Sequence, residues 1–253
     1  MKYAGLIKQS LVDYPGQIAA VVFTRGCNLR CPFCHNPQLV FPRRGRPNNE
    51  MLGKVEGLTE TPDLDAIDIG DLLDLLKERK GFLDAVVISG GEPTLNPELI
   101  QDLRRIKELG YLIKLDSNGS SPAVLENLLA EGLLDYVAMD IKAPLNYKQY
   151  LAAAGKLSPQ EFLKIRNSVC LLKEANIMVE FRTTVVPLLH RPEDIVEIAR
   201  YIEGAELYSL QQFNPAITLA PAYEQVVPYS KEEMQDIANH CSGFVKRVRV
   251  INV

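Results

Sequence analysis

Two rhythms of apolar and polar positions take turns along this chain. Compact apolar runs of strand length recur at residues 18–24, 83–89, 111–117, 135–141, 177–186 and 205–213. Helical spacing fills the intervals. Leu72, Leu73, Leu75 and Leu76 lead on to Leu83 as the stripe of an amphipathic helix. Leu99, Ile100, Leu103, Ile106 and Leu109 form a second stripe, with Asn96 expected as its cap, Pro97 at its first position and Gly110 as its stop. Ser121-Pro122 opens a third helix, which Gly132 closes. Ser158-Pro159-Gln160-Glu161 and Ser230-Lys231-Glu232-Glu233 read as capping boxes, with helices reaching about Ala175 and His240. Another helix is expected from Pro192 to about Glu203, ending at Gly204, and the last residues, 245–253, read as extended.

Six strand–helix units in succession predict a parallel sheet with right-handed crossovers. Six is two short of the eight that close a barrel. The expected fold is therefore α/β, a partial (β/α)6 barrel of the TIM type, in one domain spanning 1–253. The segment 41–68 breaks the rhythm. It carries Arg43, Arg44 and Arg46, then Pro47, and later Asp63 and Asp65, and it reads as a surface loop or a lid.

Composition narrows this little further. The 253 residues are 47% hydrophobic, enough for one large core, and the net charge of -4 gives no electrostatic reason to expect nucleic acid. No run of about eighteen apolar residues is present to cross a membrane. The first residues lack the apolar core of a signal peptide, so a reducing cytoplasm is expected.

The chemistry concentrates in Gly26-Cys27-Asn28-Leu29-Arg30-Cys31-Pro32-Phe33-Cys34-His35-Asn36-Pro37. Three of the five cysteines fall within eight residues. Thiolates so dense suit iron or zinc. Three is one short of the four that close an iron–sulfur or structural zinc site. The simplest reading is a 4Fe–4S cluster on Cys27, Cys31 and Cys34, with one iron left open for something else. Weighed against it are a zinc site borrowing His35 or a distant cysteine, and a chance group of buried thiols. Cys170 and Cys241 lie in helical stretches and read as core thiols. His35, His190 and His240 read as structural or surface residues.

The spacing Cys27-x-x-x-Cys31-x-Phe33-Cys34 resembles the signature of the radical S-adenosylmethionine (SAM) superfamily. Asp13-Tyr14-Pro15-Gly16, Phe23-Thr24-Arg25-Gly26-Cys27-Asn28 and Cys34-His35-Asn36-Pro37 resemble the activating proteins of anaerobic ribonucleoside-triphosphate reductase, relatives of pyruvate formate-lyase activating enzyme. That resemblance implies a 4Fe–4S cluster, SAM, and reductive cleavage of SAM to a 5′-deoxyadenosyl radical. It also implies transfer of the radical to a glycine of a partner reductase, and a low-potential electron donor such as flavodoxin or ferredoxin. The alternative is a radical enzyme acting on a small molecule.

The ends of the expected strands carry the remaining candidates. The C-terminal ends are where barrels of this kind place their reactive groups. Gly90 and Gly91 leave room for a ligand to approach the backbone; the resemblance assigns them the SAM amino group, with Glu92 shaping the pocket. A plain strand-to-helix turn is the simpler alternative. Lys142 and Arg182 would meet the methionine carboxylate, or pair internally with Asp140, Asp116 or Glu180. Asp116, Ser117 and Asp140 offer hard oxygens. The resemblance places a monovalent cation there, completed by the Ala138 carbonyl; a carboxylate pair neutralised by Lys142 is the other reading. Asn118 and Asn214 are placed at adenine or ribose edges, where relatives often have histidine at the second position. Phe33 packs near adenine or shields the cluster.

Overall fold

The structure, a computed structural model, describes residues 1–41 and 67–252. The expected loop or lid at 41–68 lies almost wholly outside them. The described residues group into two compact units.

The first unit takes in β1 (Lys2–Tyr3), β2 (Gly5–Ser10), β3 (Ala19–Thr24), most of α1 (Pro37–Val40), β4 (Ile67–Asp68), α2 (Ile69–Glu78), β5 (Ala85–Gly90), α3 (Leu99–Glu108), β6 (Leu112–Ser117) and nearly all of α4 (Pro122–Ala130). β3, β5 and β6 are neighbours in parallel, and β2 pairs antiparallel to β3 at the edge. Continuous burial of Ala19 to Val22 and of Ala85 to Ile88 explains the unbroken apolar runs, since parallel strands are covered on both faces. Leu72, Leu76, Leu99, Leu103, Ile106, Leu125 and Leu128 supply the helical cover. The short pair β1–β4 is antiparallel.

The second unit contains the end of β7 (Tyr136–Asp140), α5 (Tyr147–Ala154), α6 (Pro159–Lys173), β8 (Met178–Val185), α7 (Pro192–Tyr201), β9 (Leu207–Gln212), α8 (Lys231–Cys241) and β10 (Val248–Ile251). Strands β7 to β10 are neighbours in chain order, with β8–β9 and β9–β10 parallel. Met139, Phe181, Val185, Tyr208 and Leu210 on the strands are buried, as are Ile165, Val169, Ile195, Ile198, Met234 and Ile237 on the helices.

All six expected strands are present, each with its ends within two residues of those expected. Both capping boxes form, at Ser158 and Ser230. The expected cap at Asn96 does not. Residues Pro93–Leu95 make a 3₁₀ turn, Asn96 donates its amide to the Pro93 carbonyl, and α3 starts only at Leu99. Cys170 is also corrected: it is exposed on α6, off the stripe of Phe162, Ile165, Val169 and Leu172, whereas Cys241 is buried as expected.

Candidate active site

In the first unit, the exits of β3 and β5 are laced together through main chain. Gly91 N–H donates to the Thr24 carbonyl at 3.0 Å and Glu92 N–H to the Gly26 carbonyl at 2.9 Å. Gly26 and Cys27 in turn donate to Leu39 and Val40 at 2.7 and 3.0 Å, which fixes where the cysteine loop begins. A Cβ on Gly90 would strike the Thr24 backbone, and one on Gly91 the Gly26 carbonyl. These glycines are thus required by the close approach of the chain to itself.

Glu92 is fully buried. Its Oε1 accepts from Thr94 N–H at 3.1 Å, Thr94 Oγ1 at 2.6 Å and Ser117 Oγ at 2.9 Å. It braces the exits of β5 and β6 against each other. Asp116 accepts from Ser89 Oγ at 3.0 Å and from Lys114 Nζ at 2.7 Å.

In the second unit, the rest of the cysteine loop is also held by main chain. Arg30 N–H donates to the Ala154 carbonyl at 2.8 Å, Ala220 N–H to the Pro32 carbonyl at 2.9 Å, and Cys34 N–H to the Cys31 carbonyl at 3.0 Å. Gly155 lies so close to the Arg30 carbonyl that a Cβ there would overlap it. Cys31 and Phe33 are buried, and Cys34 is partly so. Burial pushes the Cys34 thiol up, against the pull of the Asn36 backbone and the Lys142 charge.

Lys142 and Arg182 both meet Asp140. Arg182 Nε donates to Oδ1 at 2.9 Å and Lys142 Nζ to Oδ2 at 3.0 Å. Burial disfavours the Asp140 charge, but the two cations outweigh it and hold the carboxyl below the usual range. Burial likewise disfavours the Lys142 charge, and Asp140, then Cys31, overcome it and raise the ammonium. The internal pairing with Asp140, one of the two readings of these cations, is therefore present.

The Lys142 main chain is clamped from both sides. Its N–H donates to Tyr150 Oη at 3.2 Å, and its carbonyl lies 2.8 Å from His190 Nε2. His190 Nδ1 accepts from Val186 N–H at 3.0 Å, so Nε2 carries the proton and donates to Lys142. Burial lowers the pKa of His190, keeping the ring neutral. Of the two sequence readings, structural or surface, the buried ring fits the first; its positioning of Lys142 gives no sequence signal because 48 residues separate the two.

Asn118 Oδ1 accepts from Ser120 N–H and Asn214 Oδ1 from Ala216 N–H, both at 2.9 Å, so each shapes its own turn. Asn214 also lines a cavity of about 420 Å³ at the ends of β8, β9 and β10, together with His35, Thr184, Gln211, Phe213 and Asn252. Among the described residues, no three His, Cys, Asp or Glu side chains stand together as a ready metal-ligand set.

Residues 21–205 match the profile of the Radical SAM superfamily. This chain belongs to that superfamily. It is 32% identical over 98% of its length, and 96% of the relative's, to MJ1227 of Methanocaldococcus jannaschii, whose name assigns it provisionally as a glycyl-radical enzyme activating enzyme. It is 31% identical to the pyruvate formate-lyase-activating enzyme of Clostridium pasteurianum, over 83% of this chain and 79% of that one. Among solved structures, Streptococcus suis SuiB bound to S-adenosylmethionine superimposes with a TM-score of 0.66 at 15% identity, covering 92% of this chain and 50% of SuiB. The chain thus spans half the length of that structural neighbour, which speaks to the fold. Radical SAM membership implies a 4Fe–4S cluster and SAM. The residue types suit such a cluster: Cys27, Cys31 and Cys34 are soft donors that fall within eight residues of sequence.

Proposed function

We propose that this chain is a radical SAM activase that generates a glycyl radical on a partner enzyme, anaerobic ribonucleoside-triphosphate reductase. One observation carries the activase part of the reading, the target resting on the motif resemblance: likeness to a glycyl-radical activating enzyme runs over 98% of the chain and includes the three-cysteine loop. Cys27, Cys31 and Cys34 would hold the cluster. Gly90 and Gly91 would present backbone to SAM, with Glu92 and Ser117 bracing that turn. When bound and reduced by a donor such as flavodoxin or ferredoxin, the cluster supplies the electron that cleaves SAM to a 5′-deoxyadenosyl radical.

The chain's own part is to bind and orient. Lys142 and Arg182 offer cations to the methionine carboxylate, and Asp140 holds both in place. His190 and Tyr150 fix the backbone from which Lys142 extends. Phe33 shields the cluster side of the loop, and Asn118 and Asn214 stand as candidates for the nucleoside.

The test is direct. Anaerobically purified protein should carry about four iron and four sulfide per chain. Reduced and mixed with SAM and the reductase, it should yield a glycyl doublet by electron paramagnetic resonance. No doublet, with 5′-deoxyadenosine formed only when a small molecule is added, would overturn the assignment of target.

A further inference from the structure

Asp116, with Ser117 and Asp140, is the carboxylate at which a monovalent cation is expected from sequence. The first unit does not fit that expectation, because Asp116 already holds a cation belonging to the chain. Lys114 precedes it by two residues on β6, so both side chains leave the same face of the strand. Lys114 Nζ is 2.7 Å from Asp116 Oδ1, and Ser89 Oγ donates to Oδ2 at 3.0 Å. The ammonium also lies 5.6 Å from the centroid of the Tyr136 ring, whose face attracts a cation. The Lys114 side chain is 4% exposed and that of Asp116 15%. Lysine is almost never buried to this degree unless paired. Ser117, the hydroxyl of the expected set, gives its proton to Glu92. In the second unit, Asp140 has Arg182 on one oxygen and Lys142 on the other.

We infer that the Lys114 ammonium is the built-in counter-ion of Asp116, and that this chain works without a monovalent metal ion at that carboxylate. A primary ammonium carries the same charge as an alkali cation and is held by the same oxygen acceptors. Being tethered, it occupies the site at any salt concentration. A metal ion added beside it would meet a like charge at close range in a poorly solvated place.

The inference rests on the proposed activity only for one of its two readouts. The anaerobically purified holoprotein is compared in potassium, sodium and tetramethylammonium chloride at equal ionic strength, by melting temperature and by SAM affinity. Wild type and Lys114→Arg should be indifferent, their SAM dissociation constants agreeing within about twofold. Lys114→Met should bind SAM about tenfold more weakly in tetramethylammonium and recover in potassium or sodium. Its melting temperature should rise by about 2–4 °C with the metal ion. A saturable potassium or sodium response in the wild type overturns the inference. So does a folded Lys114→Met protein as indifferent as its parent. Should Lys114→Met fail to fold, wild type and Lys114→Arg decide by the same criterion. A protein that binds no SAM would refute the proposed activity, while the melting arm still reads whether a metal ion binds at Asp116.

Discussion

His190 shows how a buried side chain can matter without touching a ligand. Its ring stays neutral because burial lowers its pKa from the ordinary 6.5. The unfolded chain takes up a proton as pH falls through about 6.5, while the folded chain does not. The stability this contributes is complete above that pH and is lost on acidification below it. His190→Phe should therefore be less stable at pH 8 but lose less of its urea midpoint than wild type between pH 8 and pH 5.5. An unchanged pH slope would remove His190 from this account. Gly91 makes a second single-residue claim. Gly91→Ala should destabilise by about 1–3 kcal/mol, because its Cβ would meet the Gly26 carbonyl. A melting temperature equal to wild type would show that the backbone can give way. The sequence shows that Gly-Gly-Glu lies at a strand exit, but not that the glycines serve the chain's own packing. That depends on Thr24 and Gly26, some 65 residues earlier. Lys114 was accessible in principle: a lysine two positions before Asp116 shares its strand face, and a cation inside an apolar run is the signal to look for.

Periodicity carries far where an element buries a clean stripe, and less far elsewhere. Strands such as β3 and β5 read as apolar runs because both of their faces are covered. β2 escaped notice because Lys8 and Gln9 are exposed on an edge strand, leaving no run to see. α5 was also missed: it is short and alanine-rich, and its Asn146 cap follows the proline-containing turn at Pro144. Asn96 does not cap α3: its side-chain amide donates to the Pro93 carbonyl and closes a 3₁₀ turn, whereas a cap would accept from a helix N–H. Where the capping box was read correctly, its worth can be measured. Ser158 Oγ accepts from Glu161 N–H at 3.2 Å, and Glu161 returns a bond to Ser158 N–H at 2.8 Å. Ser158→Ala should cost about 1 kcal/mol. For a chain of this size that is a fall of about 2–4 °C in melting temperature. No change would mean that α6 is held by its packed face alone.

Across the chain, the fold class follows from sequence, while sequence leaves two readings of Lys142 and Arg182 open and the structure shows the internal pairing with Asp140. Cys27-x-x-x-Cys31-x-Phe33-Cys34 marks the loop on its own. The pairing of Arg182 with Asp140 needs β8 to lie beside β7, which no local pattern specifies. Among the described residues no helix is long and apolar enough to cross a membrane.

The cysteine loop has a consequence for how the protein ages. Its anchors at Gly26, Cys27, Arg30 and Pro32 are main-chain hydrogen bonds that involve no sulfur. A zinc finger unravels when its ion leaves; this loop has other moorings. Stripping iron with a chelator should leave far-ultraviolet circular dichroism and a cooperative melt in place. Iron, sulfide and reductant should then restore the brown colour with no denaturant step. A stripped chain with a random-coil spectrum would contradict this. If the outcome holds, oxygen damage to the cofactor is an injury mended in place, and the polypeptide outlives many successive clusters.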